Sequence, residues 1–306
     1  MNTKGRIFVL TGCTASGKTE WALRWAERNN AEIVSCDSLL FYRGMDIGAA
    51  KPTSDERARV PHHLIDICEV SERMDVTYYV ANAQRAVAEI AARGRRVLVT
   101  GGSGFYLKAF FSSVADNVAV PTELRAEIAA QLQSEGLPAL VAALRRLNPA
   151  GLDALDVDNP RRVTRALERC RASGKTLAEL ADDFAKIPLP FGDWGVQCVR
   201  LERDLAELEQ RIGARVEAML QAGLIAEVER LLPLGLKQNP SASKAIGYRE
   251  TIDFLEGRLP RAQLAADIAR NTRALVKKQR TWFRTQLPEH KTVSAGGPLP
   301  EDLFVL

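Results

Sequence analysis

The sequence predicts an α/β fold: a parallel sheet with a phosphate-binding loop, flanked by helices and interrupted by a mostly helical insertion. The segment Gly12–Thr19 (GCTASGKT) fits the pattern G-x-x-x-x-G-K-[ST] and stands between an apolar, strand-like run and a helical one. Further short β-branched runs recur at 32–36, 63–67, 96–100 and 195–201. From about residue 116 the chain becomes rich in alanine and leucine with helical spacing. We therefore expect a core of residues 1–115 and 195–306 and an insertion at 116–194.

The first of these segments indicates an anion site. Its backbone N–H groups and the start of the following helix point at a phosphate, Lys18 adds a positive charge, and the Thr19 hydroxyl can bind Mg²⁺. Gly12 and Gly17 allow close approach of the backbone. An ordinary turn is the alternative, which the strand and helix on either side disfavour.

Two other strand ends carry polar groups. The strand at 32–36 ends at Asp37-Ser38, and the strand at 96–100 runs into Gly101–Gly104, which contains Ser103. Ligands bind at this edge of open α/β sheets. The alternative to a ligand-binding role is that Asp37 only caps a helix and that the glycines only form a structural turn. No aspartate ends the second of these strands, as one would in a nucleotide hydrolase, so Asp37 is the candidate carboxylate.

The remaining pattern predicts helices and one ordered loop. The loop is the glycine-broken stretch Tyr42–Pro52. The tail after the last helix contains Pro288 and Gly296-Gly297-Pro298 and is expected to be irregular. The helices are expected at 20–28, 78–93, 105–111, 205–223, 224–232 and 259–287.

Composition narrows the class of protein. The 306 residues are 46% hydrophobic and 26% charged with a net charge of +4, which is typical of a globular chain. Five scattered cysteines without a C-x-x-C pair, and three histidines, predict reduced thiols and no zinc site. No apolar run of 18 residues and no secretory leader occurs, so we expect a cytoplasmic protein without a membrane partner.

Two helical segments have basic faces. After Asn159-Pro160, a good helix start, one face carries Arg161, Arg162, Arg165 and Arg169. Between residues 258 and 286, eight basic residues accompany one acid. Because solvated faces usually mix signs, these faces favour a polyanion, and nucleic acid in particular.

Seven separated blocks carry a pattern that covers nearly the whole chain. The blocks lie at 12–19, 37–38, 42–52, 101–104, 159–168, 245–248 and 279–284. With these blocks in this order the sequence resembles the bacterial tRNA dimethylallyltransferases (tRNA isopentenyltransferases). That family transfers a dimethylallyl group from dimethylallyl diphosphate to the exocyclic N6 amine of the adenine 3′ to the anticodon.

The resemblance implies roles for individual residues. Asp37, Ser103 and Lys18 would be catalytic, with Asp37 accepting a proton or hydrogen bond from the amine. Mg²⁺ near Thr19 would be the cofactor. The partners would be the tRNA anticodon stem-loop and dimethylallyl diphosphate, and the protein would be a monomer. The diphosphate would contact Gly12, Cys13, Thr14, Ala15, Ser16, Gly17, Lys18, Thr19 and Arg215. The tRNA would contact Asp37, Ser38, Leu39, Leu40, Ser103, Arg125, Arg161, Arg162, Val163, Thr164 and Arg165.

Four positions depart from the family pattern. Cys13 stands where proline is usual, Ser103 and Ala49 replace threonines, and Leu40 stands where some members have glutamine. These changes bear on rate and specificity more than on reaction type. The rival interpretations are an isopentenyltransferase acting on free adenine nucleotide, a small-molecule kinase with the same loop, and a nucleic-acid-binding switch that binds nucleotide without chemistry. The basic insertion argues against the first two, and the Asp37/Ser103 pair against the third.

Overall fold

The protein is built around a fully parallel sheet. The computed structural model describes residues 4–152, 155–298 and 300–306. Over these residues the sheet has six strands in the order β3-β2-β4-β1-β5-β6, and every neighbouring pair is parallel. This confirms the predicted parallel α/β class. The strands are β1 Arg6–Gly12, β2 Ala31–Ser35, β3 His62–His63, β4 Arg96–Gly101, β5 Gly195–Glu202 and β6 Lys291–Ser294.

Helices cover the sheet and form the insertion. Short turns of helix near residues 236–243 connect the later ones. The α-helices are α1 Lys18–Arg28, α2 Ser54–Arg59, α3 Val76–Ala92, α4 Gly104–Lys108, α5 Thr122–Leu147, α6 Pro160–Ser173, α7 Leu177–Ala185, α8 Leu205–Gln221, α9 Leu224–Leu231, α10 Pro240–Ser243, α11 Tyr248–Leu255 and α12 Arg261–Gln286.

Strand β1 is the centre of the core. Its side chains alternate between the two faces of the sheet, as the pleat requires. Phe8 packs against Trp25 of α1 and Phe304, with ring centroids 5.0 and 5.1 Å apart. Ile7 and Val9 belong to the larger cluster on the opposite face, which includes residues of α3, α8 and α12. Burial of both faces fixes the register of the strand and thereby the position of the loop that follows it.

The chain forms two compact units. The larger contains residues 1–114 and 189–306, and the smaller residues 115–188. Residues 189–194 therefore join the larger unit, where Phe191 stacks on Phe110 with centroids 4.4 Å apart. In the smaller unit, α5, α6 and α7 enclose their own apolar core, and α5 is kinked at Gly136, whose φ is 79°.

Several parts of the chain differ from the predicted elements. The strand expected at 63–67 is limited to His62–His63, because Leu64 and Asp66 adopt left-handed φ values of 61° and 56° and leave the extended path. Strand β6 was not indicated by the sequence, since its residues are mostly exposed and lack an apolar pattern. Helices α2, α10 and α11 were likewise not predicted. In the described ranges, no helix is long and apolar enough to cross a bilayer.

Candidate active site

The phosphate loop lies between β1 and α1 and leads into the N-terminus of that helix. Ala15 and Gly17 adopt left-handed φ values of 66° and 96°, which turn the chain sharply into the helix. Gly17 is the N-cap and offers no side chain, so nothing from the cap occupies the first amides of α1. Such a helix start is a ready anion site. Gly12, Cys13 and Ser16 lie buried behind the loop and line neither of the two cavities described below.

Three charged groups meet beside this loop. The Lys18 ammonium donates to the carbonyl of Cys13 at 2.9 Å. Burial lowers the pKa of Lys18 to about 8, and the charge of Asp37 partly opposes this. Burial also lowers the pKa of Arg215, on α8, again against the effect of Asp37. The structure thus brings together Lys18, Asp37 and Arg215, which are far apart in the sequence.

Asp37 and Ser103 occupy adjacent loops that touch. The Ser38 N–H donates to the Ser103 hydroxyl at 3.1 Å, and that hydroxyl donates to Ser38 Oγ at 3.4 Å. Asp37 accepts from the Leu39 N–H at 3.1 Å through Oδ1. Over the described part of the chain, its Oδ2 makes no hydrogen bond. One carboxylate oxygen is therefore held by the backbone and the other is available to a ligand.

The glycines after β4 permit this approach. A Cβ on Gly101 would lie 1.9 Å from the carbonyl oxygen of Cys36, and one on Gly104 would lie 2.5 Å from the ring of Trp282. No side chain fits at either distance, so the two loops and α12 can pack this closely only with glycine. The glycine-rich turn predicted from the sequence is thus a site of close backbone contact.

Two adjoining cavities meet at this point. One, of about 590 Å³, is bounded by the phosphate loop and includes Lys18, Thr19 and Leu40. The other, of about 550 Å³, includes Ser38, Leu39, Ser103 and a set of mostly apolar side chains. The residues that line both are Thr14, Asp37, Ala49 and Arg215. The apolar wall is made by Ile212, Val216, Met219, Ile246, Ile268, Leu275, Trp282 and Phe283.

Gln279 lies in one of the seven blocks, but the sequence alone predicts no role for it. Its Oε1 accepts from the Thr14 N–H at 2.9 Å, and its Nε2 donates to the Gly102 carbonyl at 3.0 Å. This one side chain of α12 therefore links the phosphate loop to the glycine-rich turn. Its only signal in the sequence is a neutral polar residue within a strongly basic helix.

Two arginines near the start of α8 were also missed. Arg203 Nε donates to the carbonyl of Ser16 at 3.1 Å, and Arg211 Nε donates to the carbonyl of Ala15 at 2.8 Å. They hold the outward-facing carbonyls of the phosphate loop. The N–H and C=O groups of a peptide point in opposite directions, so holding these carbonyls outward helps to orient the N–H groups of the loop toward the cavity.

The residues of the phosphate-loop cavity fit a magnesium ion only if a bound ligand supplies most of the oxygen atoms that coordinate the ion. Thr19, which is exposed, lines the cavity bounded by the phosphate loop, and Glu20 and the half-buried Asp37 line the same cavity. Within the described residues, no group of three or more His, Cys, Asp or Glu side chains converges on a metal position. Mg²⁺ binds commonly through one or two protein oxygens together with phosphate oxygens and water, which matches this donor set.

Nearby acidic side chains neutralise part of the positive charge on the predicted tRNA-binding face of the smaller unit. Arg125 and Arg161 are exposed, and no ion pair is found for them among the described residues. Arg162 lies 3.7 Å from Asp156, Arg165 lies 3.2 Å from Glu168, and Arg169 pairs with Asp116. The face therefore mixes signs more than the sequence pattern indicated, because two of these acids lie outside the helix.

Two further predicted contacts on α6 are less accessible. Val163 is 0% exposed and belongs to the core of the smaller unit, so it is not accessible to a ligand in this structure. The Thr164 hydroxyl oxygen is also buried and has no hydrogen-bond partner in the described part of the chain.

The basic face of α12 keeps most of its charge. Arg270 pairs with Asp267 at 2.7 Å. In the part of the chain that the structure describes, none of the other basic residues of the face has an acidic partner within 4.0 Å; they are Arg273, Lys277, Arg280 and Arg284.

Comparison with known proteins identifies the family of the chain. A family model described as IPP transferase matches residues 40–286. A tRNA dimethylallyltransferase of Opitutus terrae is 68% identical over 292 residues, 95% of this chain and 94% of the relative. Another, of Deinococcus radiodurans, is 42% identical over 284 residues, 92% and 90% of the two chains. The crystal structure of the full-length tRNA isopentenylpyrophosphate transferase of Bacillus halodurans superposes with a TM-score of 0.69 at 33% identity, covering 95% of this chain and 90% of that one. The chain belongs to the IPP transferase family.

Proposed function

We propose that this protein is a tRNA dimethylallyltransferase. It transfers the dimethylallyl group of dimethylallyl diphosphate to the N6 amine of the adenine 3′ to the anticodon and releases diphosphate. The observation that carries the proposal is the position of Asp37, which lines both the cavity of the phosphate loop and the adjoining apolar cavity. A carboxylate at this junction is suited to a reaction between a diphosphate ester and an amine.

The leaving group is held by the phosphate loop. Diphosphate would bind the amides of Ala15 and of residues 17–19, because the Thr14 and Ser16 N–H groups already donate to Gln279 and to the Cys13 carbonyl. Lys18 and Arg215 would supply positive charge. As the allylic C–O bond breaks, these donors stabilise the negative charge that develops on the bridging oxygen. The Thr19 hydroxyl would hold Mg²⁺ together with oxygens of the substrate, and the ion would supply further charge neutralisation.

Asp37 acts on the incoming amine. An exocyclic amine is a weak nucleophile, and the new C–N bond leaves it with a proton to lose. The free Oδ2 of Asp37 accepts that proton as the bond forms, while the hydrogen bond from Leu39 holds the carboxylate in place. Ser103 and Ser38 orient the base. The apolar wall suits the dimethylallyl group and excludes water, which would otherwise compete for the allylic carbon.

The tRNA is bound by positive charge outside the cavities. Arg125 and the 161–165 segment of α6 would contact the anticodon stem-loop, and the basic face of α12 adds a phosphate-binding surface. The target base must leave its stack to reach a half-buried carboxylate. In this proposal the enzyme acts as a monomer.

Transfer of label tests the reaction directly. Purified protein, Mg²⁺ and radiolabelled dimethylallyl diphosphate are incubated with unmodified tRNA, with the same tRNA carrying guanine at the target position, or with AMP. We expect label in the first only, recovered after digestion as an N6-substituted adenosine. Label in AMP alone would show a free-nucleotide enzyme. No label, together with ATP turnover on a small alcohol, would replace the transferase by a kinase.

A further inference from the structure

The loop between β2 and α2 forms a thin wall of the site. We call residues 46–50 the wall loop. Ala49 lines both cavities of the active site, and Gly48 lines the apolar one. Asp46 and Ile47 line a further cavity of about 770 Å³. Open space on more than one side means that side-chain packing alone does not hold this segment, so hydrogen bonds must fix its path.

One buried carboxylate supplies those hydrogen bonds. Glu227 of α9 is 1% exposed. Its Oε2 accepts from the N–H groups of Asp46 and Ile47 at 3.0 and 2.7 Å, and its Oε1 accepts from the N–H of Gly48 at 3.1 Å. No cation in the described residues lies within ion-pair distance of it. Three successive backbone amides thus converge on a carboxylate, an arrangement that backbone nests make with anions.

Tyr248 of α11 donates a further hydrogen bond to Glu227. Its hydroxyl donates to Glu227 Oε1 at 2.7 Å, and its side chain is 0% exposed. Burial and the nearby carboxylate raise the pKa of Tyr248 far above its ordinary value, so the hydroxyl remains a donor. A Cβ on Gly48 would lie 2.5 Å from the Tyr248 ring, so the wall loop presses directly on this tyrosine.

Lys51 holds the wall loop from its other side. Lys51, whose side chain is 3% exposed, donates to the Tyr42 carbonyl at 3.0 Å and to Asp46 and Asp66 at 2.6 Å each. Between the two anchors, Ala50 is held at a left-handed φ of 48°, which a non-glycine residue adopts only when its surroundings impose it.

We propose that Glu227, assisted by Tyr248, is a positioning residue for the transfer reaction. It touches no reactant. It fixes the wall loop through three amides and so sets the position of Ala49 opposite Asp37, at the point where the two cavities meet. The consequence for rate rests on the proposed function, whereas the anchoring of the loop does not.

The test compares Glu227→Gln with Glu32→Gln. A glutamine turns an NH₂ group toward Gly48 or toward the paired amides, so at least one N–H loses its acceptor. Glu32 is a matched control: it is 3% exposed and bonded to His63 and Arg93, but lines no cavity described here. We measure amide hydrogen exchange of the wall loop, together with kcat and KM for dimethylallyl diphosphate.

Glu227→Gln is expected to speed exchange at residues 46–48 alone and to lower kcat by about tenfold to a hundredfold, the effect of a displacement near 1 Å. KM is expected to change little. Glu32→Gln is expected to leave kcat and wall-loop exchange as in the wild type. Unchanged exchange in Glu227→Gln would overturn the proposal, as would faster exchange across the whole larger unit or an equal loss of kcat in the control.

A second variant covers the case in which Glu227→Gln fails to fold. Tyr248→Phe removes one donor and leaves the ring in place, so it is expected to speed exchange near Gly48 and to lower kcat by a smaller factor. No change in either quantity would overturn the proposal that Glu227 and Tyr248 anchor the wall loop. An inactive wild type would refute the proposed function, and the exchange data would still decide whether Glu227 anchors the loop.

Discussion

Replacing Gln279 by leucine tests whether α12 holds the two ligand-binding loops together. The substitution keeps the volume approximately and removes the bonds to Thr14 N–H at 2.9 Å and to the Gly102 carbonyl at 3.0 Å. Each neutral hydrogen bond contributes about 0.5–1.5 kcal/mol net, so the free energy of unfolding should fall by about 1–3 kcal/mol. Because the loss lies at the site, kcat/KM for dimethylallyl diphosphate should fall by at least tenfold.

The assay is thermal or urea unfolding combined with steady-state transfer to tRNA. Gln286→Leu is the control, since Gln286 is exposed on the same helix and makes no hydrogen bond among the described side chains. Gln279→Glu sharpens the test, because it keeps the acceptor for Thr14 but loses the donor to Gly102 and brings a negative charge toward the diphosphate. Equal stability and equal kcat/KM in Gln279→Leu and Gln286→Leu would refute the reasoning.

Three further changes probe other parts of the account. Burial lowers the pKa of Lys18 to about 8, so kcat/KM for dimethylallyl diphosphate should fall as the pH rises through 8 and the ammonium loses its proton. Lys18→Arg should move that fall to higher pH. A flat profile up to pH 9.5 would contradict the role of the Lys18 charge in binding the diphosphate. Gly101→Ala should abolish transfer and lower Tm, since its Cβ would lie 1.9 Å from the Cys36 carbonyl oxygen, whereas Gly213→Ala in α8 meets nothing within 4 Å and should preserve both. Arg161→Ala should raise KM for tRNA and reduce its salt dependence without changing binding of dimethylallyl diphosphate, which a filter-binding salt series measures.

The parts of the site that the sequence predicts are local in the chain. The phosphate loop follows from eight consecutive residues between a strand and a helix. Asp37 and Ser103 follow from the rule that parallel strands end at one edge. Each of these signals needs only a strand and the few residues after it.

The parts that the sequence does not predict depend on long-range packing. Gln279 and Thr14 are 265 residues apart, and Glu227 lies 179 to 181 residues from the amides it accepts from. No local pattern distinguishes either residue from other polar residues on amphipathic helices. The pairing of Arg169 with Asp116 is similar: the helix face appears uniformly basic until a residue from another segment neutralises part of it.

The most direct test of the account is the single-turnover rate of Asp37→Asn. Asparagine keeps the side-chain oxygen that accepts from Leu39 and replaces the other carboxylate oxygen by an NH₂ group, which cannot take a proton. It also removes the negative charge that faces Lys18 and Arg215. With radiolabelled dimethylallyl diphosphate and unmodified tRNA, the account predicts a rate about 10²- to 10⁴-fold below the wild type, with the Kd for dimethylallyl diphosphate nearly unchanged. A rate within a few-fold of the wild type would show that the carboxylate at the junction of the two cavities is not the base.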